Sequence, residues 1–172
     1  MLTYVDFLKK VPLFSELDEG ELQQLAGVMR EQHYKKHSTI VHVDDPGNAL
    51  YILKSGLVKV TIEDQHGYEM ILRILYPTDF FGDMSLLDGM PRSATVTTQE
   101  FSDVMTISRD HFLNIIEKSP KILLKMTSVV SQRLRKANEL IHSLAFFDVY
   151  GKVARVLLNL ATERGRVTEQ GT

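Results

Sequence analysis

The run Leu50-Tyr51-Ile52-Leu53-Lys54-Ser55-Gly56-Leu57-Val58-Lys59-Val60-Thr61-Ile62-Glu63-Asp64-Gln65-His66-Gly67 repeats with a period of two. Tyr51, Leu53 and Ser55 face away from Ile52 and Lys54, and Val58, Val60 and Ile62 then alternate with Lys59, Thr61 and Glu63. Alternation of this kind predicts strands with one buried face. Lys54-Ser55-Gly56 and Asp64-Gln65-His66-Gly67 supply the turns between them. Outward from this run the pattern extends from about Lys36 to Ser108, punctuated at Asp44-Asp45-Pro46-Gly47, Pro77-Thr78-Asp79 and Asp88-Gly89-Met90-Pro91. Turns spaced so regularly predict short antiparallel strands rolled into a sandwich or barrel. Without crossover helices between the strands, a doubly wound parallel sheet does not fit.

Helical signals flank this region. Thr3 is placed to cap a short helix from Tyr4 to Lys10, and Asp18 with Glu21 forms a capping-box pattern ahead of Leu22, Leu25, Ala26 and Met29. Ser108 is a cap ahead of Phe112, Leu113, Ile115 and Ile116. Ser119-Pro120 then starts the longest helix, with proline at its first position. Read in sevens, Leu123, Val130, Ala137 and Leu144 share one position, and Thr127, Leu134 and Ile141 the position four residues on. That is a coiled-coil seam. A second stripe, Ile122, Met126 and Val129, is available to pack on the strands. Two apolar faces imply two neighbours, and the seam is expected to pair with a second copy of the chain. Asp148 offers a further cap, before a helix from Val149 to Ala161 with Val153, Val156, Leu157 and Leu160 on its apolar side. Such a helix, with nothing after it to cover that side, reads as the opening of a second domain.

Composition narrows the class. A chain of 172 residues with 44% hydrophobic content buries a real core, removing about 70% of the unfolded chain's surface from water. Disorder and collagen-like repeats are excluded. There is no cysteine, so disulfides, thiolate nucleophiles, iron–sulfur ligation and cysteine-based zinc sites are excluded too. No apolar run approaches the roughly 20 residues needed to span a bilayer, and Met1 to Lys10 holds Asp6 and no signal-peptide core. A cytoplasmic location is expected. With Lys+Arg 20 against Asp+Glu 22 the net charge is -2, whereas DNA-binding domains are strongly basic. Any DNA reader is expected outside this stretch.

The histidines His33, His37, His42, His66, His111 and His142 show no metal-ligand spacing, and no metal or haem site is expected from them. Inward strand positions are Val, Leu, Ile and Phe rather than a convergent set of His and carboxylates, and Ser108, Asp110 and His111 form no triad. No catalytic residue is expected. The densest chemistry lies in Phe80-Phe81-Gly82-Asp83-Met84-Ser85-Leu86-Leu87-Asp88-Gly89-Met90-Pro91-Arg92-Ser93-Ala94-Thr95. Gly82 allows close backbone approach, Asp83 is placed to cap a single turn through Met84 to Leu87, and the amides of that turn point at an anion. Arg92, with the Ser93 hydroxyl beside it, offers paired charge-assisted bonds to phosphate oxygens. The same residues also read as a helix cap and its ion pair across a loop.

Phe81-Gly82-Asp83-Met84-Ser85-Leu86-Leu87 followed by Pro91-Arg92-Ser93-Ala94-Thr95 resembles the phosphate-binding cassette of cyclic nucleotide-binding domains. The resemblance continues through Leu50 to Gly56, through Gly67 with Glu69-Met70-Ile71-Leu72, and through Leu144-Ala145-Phe146-Phe147-Asp148-Val149 with Leu157 to Ala161. The chain resembles the CRP/FNR family of bacterial transcription regulators, nearest in pattern to its catabolite activator branch. The resemblance implies a mainly β fold with helices: a double-stranded β-helix, or jelly-roll-like β-roll, flanked by short helices and followed by a long dimerisation helix. It implies a nucleotide-binding roll over 1–118, a dimerisation helix over 119–145, and over 146–172 the start of a DNA-binding domain that lacks its helix-turn-helix. The expected partners are a second copy of the chain and, in the full-length protein, promoter DNA. No cofactor is implied beyond a cyclic nucleotide effector, cyclic AMP by pattern.

Carried over by position, Arg92 neutralises the cyclic phosphate, with Ser93 and the backbone around Gly82, Asp83, Met84 and Ser85 holding its oxygens, while Val60, Leu72 and Met84 wall the purine and ribose. The chain departs from the cyclic AMP pattern twice. Asp83 is one methylene shorter than the family's usual ribose-binding Glu, and Ala137 with Asn138 stands where adjacent hydroxyl residues meet the adenine. Asn138 still both donates and accepts, whereas Ala137 does neither. Arg133, on the same helix, is placed to support the pocket or the dimer. These departures keep cyclic GMP, cyclic di-GMP, haem and a ligand-free regulator open.

Overall fold

The computed structural model describes residues 4–146 and 148–164, without the side chains of Leu144, Lys152, Asn159 and residues 162–164. Two compact units divide the chain, Met1–Lys125 and Met126–Thr172. The first opens with α1 (Tyr4–Leu8), a 3-10 turn (Pro12–Phe14) and α2 (Glu19–Val28). The capping box at α2 is formed: Asp18 Oδ1 accepts from the Glu21 amide at 2.8 Å, and the Glu21 carboxylate accepts from the Asp18 amide at 2.8 Å. The Thr3 cap falls outside the described residues, and α1 ends at Leu8, two residues short of expectation.

Eight strands follow: β1 (Arg30–Tyr34), β2 (Thr39–Val41), β3 (Ala49–Ser55), β4 (Val58–Glu63), β5 (Glu69–Leu75), β6 (Phe80–Phe81), β7 (Thr95–Thr98) and β8 (Ser102–Ser108). They form two four-stranded sheets, β1-β8-β3-β6 and β2-β7-β4-β5, antiparallel at every pairing. This is the expected jelly roll. Val41, Leu53, Val58, Leu75, Phe81, Val96 and Val104 fill its core from both sheets.

The simple alternation fails at three places, each with a visible cause. In β3 both Ile52 and Leu53 are buried, and the register against β8 shifts between Leu53 and Ser55, so Lys54 is an extra residue. In β4 Thr61 is buried while Ile62 is exposed. Pairing of β4 with β7 ends at Thr61, so from Ile62 onward the β4–β5 hairpin runs on as a two-stranded ribbon beyond the sheet. In β5, Arg73 pairs with Val60 and Ile71 with Thr61, leaving Leu72 as a bulge.

A one-and-a-half-turn helix, α3 (Asp83–Asp88), lies between β6 and β7, and α4 (Arg109–Lys118) follows β8, capped by the Ser108 hydroxyl as expected. The long helix α5 (Lys121–Phe146) begins one residue later than Ser119-Pro120 suggests. Ser119 closes α4 through its amide to the Ile115 carbonyl at 2.8 Å and also accepts from the Ile122 amide at 3.2 Å as α5 opens, with Pro120 accepting next from the Leu123 amide at 3.0 Å. In the second unit α6 (Val149–Arg164) starts at its expected cap, Asp148 Oδ1 accepting from the Gly151 amide at 2.8 Å. Among the described residues no helix is long and apolar enough to cross a membrane.

The outer face of the first sheet carries a polar row that sequence spacing hides. His33 pairs across β1–β8 with Asp103, which pairs across β8–β3 with Ser55. Asp103 accepts from His33 Nδ1 at 2.7 Å and from the Ser55 hydroxyl at 2.8 Å, while Glu31 binds Lys54 and accepts from the Tyr4 hydroxyl at 2.8 Å. The Lys54 ammonium holds the Glu31 carboxyl below its ordinary value, with Tyr4 adding to it and burial opposing it. A lowered carboxylate pKa contributes stability that is complete above the ordinary value of about 4 and disappears as pH falls through the lower folded value. Glu31→Gln is therefore expected to cost up to about 1 kcal/mol at pH 7 and progressively less below about pH 4. Urea midpoints at pH 7 and pH 3 check this, and an equal gap at both would refute it.

Candidate phosphate-binding site

The site is built around one turn of backbone. Phe81 ends β6 in the core, and Gly82 follows with φ of 83°, in the left-handed region that favours glycine. Gly82, not Asp83, occupies the N-cap position of α3; Asp83 is its first helical residue, so its side chain is not the cap expected from sequence. A Cβ at Gly82 would also lie 2.4 Å from Arg92 Nη1 and 2.9 Å from the Ala49 carbonyl oxygen. Glycine is required twice over, by conformation and by space.

Arg92 is the reason for that crowding. It is only 4% exposed. Its Nη1 donates to the Gly82 carbonyl at 2.9 Å, its Nη2 to the Ala49 carbonyl at 2.8 Å, and its guanidinium lies over the Tyr51 ring at 5.4 Å. Nε is buried with no hydrogen-bond partner among the described residues. The backbone of Arg92 is held as firmly, donating to the Asp45 carbonyl and accepting from the Asp44 amide, both at 2.8 Å. The terminal nitrogens of this buried cation are hydrogen-bonded to neutral carbonyls, and burying a cation is costly unless an anion stands near it. Asp83, the ion-pair partner considered from the sequence, is buried as well, next in the chain to Gly82.

The other expected site residues distribute around this centre. Ser93 is exposed and its hydroxyl lies 3.7 Å from the Met84 sulfur, so both sit near each other on the surface side of the cassette. Ser85 is buried with its hydroxyl committed to the Pro91 carbonyl at 3.1 Å, which leaves its backbone rather than its side chain to serve a ligand. Val60 is half-buried against the core, and Leu72 stands exposed at its bulge on the neighbouring strand. Ala137 and Asn138 are exposed on α5 in the second unit. Of the heptad seam, Leu123, Thr127, Val130, Leu134, Ala137 and Ile141 are all exposed, Leu134 at 61% and Ile141 at 62%, and the Leu144 side chain lies outside the described set. Ile122 and Met126 of the second stripe are buried and Val129 is half-buried.

Sequence reasoning missed Ala49, Tyr51 and the loop Asp44–Asn48, which hold Arg92 through main-chain atoms and a ring face. It also missed the grouping of Glu31, His33 and Asp103, whose donor atoms lie within 4.8 Å of one another on strands far apart in sequence. Of these, Glu31 is already paired with the Lys54 ammonium, and Asp103 with His33. An open cleft of about 440 Å³, lined by Asp44, Asn48, Gly89 and Arg109 among others, lies on the outer side of the 44–48 loop and does not include Arg92.

Residues 31–119 match the family profile of the cyclic nucleotide-binding domain. The chain is 38% identical over 136 residues to the cAMP-activated global transcriptional regulator CRP of Salmonella typhimurium, covering 78% of this chain and 65% of that protein. It is 31% identical over 166 residues to the CRP-like cAMP-activated global transcriptional regulator of Mycobacterium tuberculosis, covering 96% of this chain and 73% of that protein. The chain thus spans about two thirds of the length of these curated relatives. Among solved structures, the Thermus thermophilus catabolite activator protein superimposes with a TM-score of 0.72 at 30% identity, covering 89% of this chain and 72% of that one.

The geometry at Gly82 carries its own test. Gly82→Ala forces a left-handed alanine and displaces the Arg92 guanidinium, with an expected loss of about 1–3 kcal/mol. A denaturant midpoint indistinguishable from that of the unmodified chain would contradict the placement of Arg92 against this glycine.

Proposed function

This chain belongs to the CRP/FNR family and carries its cyclic nucleotide-binding domain, and we propose that it is the sensing and dimerisation part of a DNA-binding transcription regulator whose effector is cyclic AMP. The observation that carries the reading is the buried Arg92, hydrogen-bonded to neutral carbonyls through its terminal nitrogens and with no hydrogen-bond partner at Nε among the described residues. A cyclic phosphate supplies a negative charge, and its oxygens are acceptors suited to guanidinium and hydroxyl donors. In this reading Arg92 neutralises the phosphate, while Ser93 and the amides at Gly82, Asp83, Met84 and Ser85 hold its oxygens. Val60, Leu72 and Met84 wall the purine and ribose, and Asp83 receives the ribose hydroxyl. The names of the Salmonella and Mycobacterium relatives favour cyclic AMP. Asp83 and Ala137, which depart from the cyclic AMP pattern, are the observations that favour cyclic GMP or cyclic di-GMP as the second reading.

The exposed seam on α5 supports pairing with a second copy of the chain, because leaving Leu134 and Ile141 in water forgoes the burial that a heptad repeat provides. We assign residues 1–118 to the sensor, 119–145 to the dimerisation helix and 146–172 to the start of the DNA-binding domain. In this reading the base-recognition positions of the family pattern fall at Ala137 and Asn138, with Arg133 on the same helix. A ligand switches such a dimer only if it binds two arrangements of that helix unequally, and moving a population from 1:99 to 99:1 takes about 5.5 kcal/mol of differential binding. The bound nucleotide is not consumed, and the chain works as a sensor rather than an enzyme.

Calorimetric titration with cyclic AMP, cyclic GMP and cyclic di-GMP is expected to give saturable binding of cyclic AMP that Arg92→Leu abolishes. Silence with all three nucleotides from the folded chain would overturn the assignment, and tighter binding of another nucleotide would replace cyclic AMP with it. Leu134→Glu places a charge in the seam and is expected to convert dimer to monomer in sedimentation equilibrium; an unaltered dimer would move the interface elsewhere.

A further inference from the structure

The loop between β2 and β3 touches the cassette at a point where no side chain announces a function. Ser85, in α3, is 2% exposed. Gly47, in the loop, lies directly over it: a Cβ at Gly47 would stand 2.0 Å from Ser85 Cβ, 2.8 Å from its Oγ and 3.2 Å from its Cα. The φ of Gly47 is not in the left-handed region, so what demands glycine here is space and not backbone conformation. On one side of Gly47, the Asp44 amide and Asp45 carbonyl bind the Arg92 backbone; on the other, the Ala49 carbonyl binds its guanidinium. Ser85 in turn ties α3 to Pro91, the residue before Arg92. A shift of the loop away from Ser85 therefore moves both the backbone anchor and the side-chain anchor of the same arginine.

We propose that Gly47 and Ser85 form a size-matched pair that positions Arg92, so that the separation of these two small residues sets the anion affinity of the pocket. The proposal rests on the reading of Arg92 as the phosphate-binding residue. Neither residue touches the ligand through its side chain: Ser85 has its hydroxyl on Pro91 and Gly47 has none. Both act through Arg92 and are positioning residues. Because the clash at Gly47 is with a Cβ, the pair makes an asymmetric demand. Removing the Ser85 hydroxyl does not make room for a methyl at Gly47, whereas removing the Ser85 Cβ does, with the 3.2 Å approach to Cα left to relax by a few tenths of an ångström.

The experiment compares cyclic AMP affinity by calorimetry in the full chain and in Gly47→Ala, Ser85→Ala, Ser85→Gly and the two double variants. Gly47→Ala is expected to weaken binding at least tenfold. Gly47→Ala with Ser85→Ala stays as weak, and Gly47→Ala with Ser85→Gly returns to within about threefold of Ser85→Gly alone. A Gly47→Ala chain that binds within twofold of the unmodified one overturns the proposal, as does a double variant with Ser85→Gly that is no better than Gly47→Ala. If Gly47→Ala does not fold, recovery of folding and binding by Ser85→Gly, but not by Ser85→Ala, supports it and no recovery overturns it. If the unmodified chain binds no cyclic nucleotide, the function reading fails separately, and amide hydrogen exchange over residues 82–92 decides the pair. Faster exchange in Gly47→Ala that Ser85→Gly reverses supports the positioning role, and unchanged exchange overturns it.

Discussion

A single guanidinium organises the cassette. Arg92 sits inside the roll with its two terminal nitrogens on the carbonyls of Gly82 and Ala49 and its face on Tyr51. Gly82 belongs to the turn that begins α3 and Ala49 opens β3, so one side chain fastens the helical cassette to a central strand. Loss of either carbonyl bond would forfeit about 1.5–3 kcal/mol, the usual range for hydrogen bonds to a charged group. The neutral carbonyls take the two terminal nitrogens, while Nε has no hydrogen-bond partner among the described residues.

The roll supplies the rigidity this requires. Its two antiparallel sheets share an apolar core, and β6, only Phe80 and Phe81, pairs with β3 at Ile52 and Tyr51. Phe81 stacks on Tyr51 at 5.0 Å between ring centroids, and Arg92 lies against the same Tyr51 ring. Core packing and the anchoring of Arg92 therefore meet in one aromatic side chain. Offset aromatic stacking contributes about 0.5–1.5 kcal/mol beyond area burial, and here it also fixes where β6 releases the chain into Gly82. On the other sheet, the bulge at Leu72 takes that residue out of the pairing register beside Val60. Bulges re-aim side chains, which is how a strand in an otherwise regular hairpin comes to present one apolar residue out of alternation.

Much of this was legible in the sequence because it is local or periodic. Capping at Asp18, Ser108 and Asp148 follows from residue type at fixed offsets, and the turns after Ser55 and Glu63 follow from glycine and aspartate. The strand region, its antiparallel roll and the long helix follow from periodicity. Gly82, Arg92 and Ser93 were legible as a group because they are close in sequence and chemically distinctive. What stayed hidden depends on register between distant strands or on main-chain atoms. The row His33, Asp103 and Ser55 exists because β8 pairs with both β1 and β3, and no spacing within one strand encodes that. The Ala49 carbonyl is an acceptor that every residue possesses. Gly47 looked like turn punctuation, and only its distance to Ser85 shows that it is there for space. The misreading of Ile62 has the same origin, since alternation says which residues share a face but not where the neighbouring strand stops.

The long helix poses a different physical problem from the roll. At about 1.5 Å per residue its 26 residues run close to 39 Å, and an isolated amphipathic helix gains most of its stability from burying a face. Ile122 and Met126, near its start, are buried, whereas Leu134 and Ile141, about two and four turns beyond Met126, stand in water. Helix propensity alone does not compensate for that exposure, because Leu and Ile differ little from polar helix formers in propensity and greatly in transfer free energy. The exposed stripe keeps a seven-residue repeat instead of drifting around the helix, and such a repeat is the geometry of a partner helix rather than of a globular core. α6 shows an exposed apolar side as well, through Val153, Val156, Leu157 and Leu160, but without an extended heptad. The two stripes therefore differ in pattern, a sustained heptad along α5 and a shorter apolar side on α6. A helix whose free energy is drawn from a partner rather than from its own propensity is one whose arrangement a ligand's differential contacts can shift.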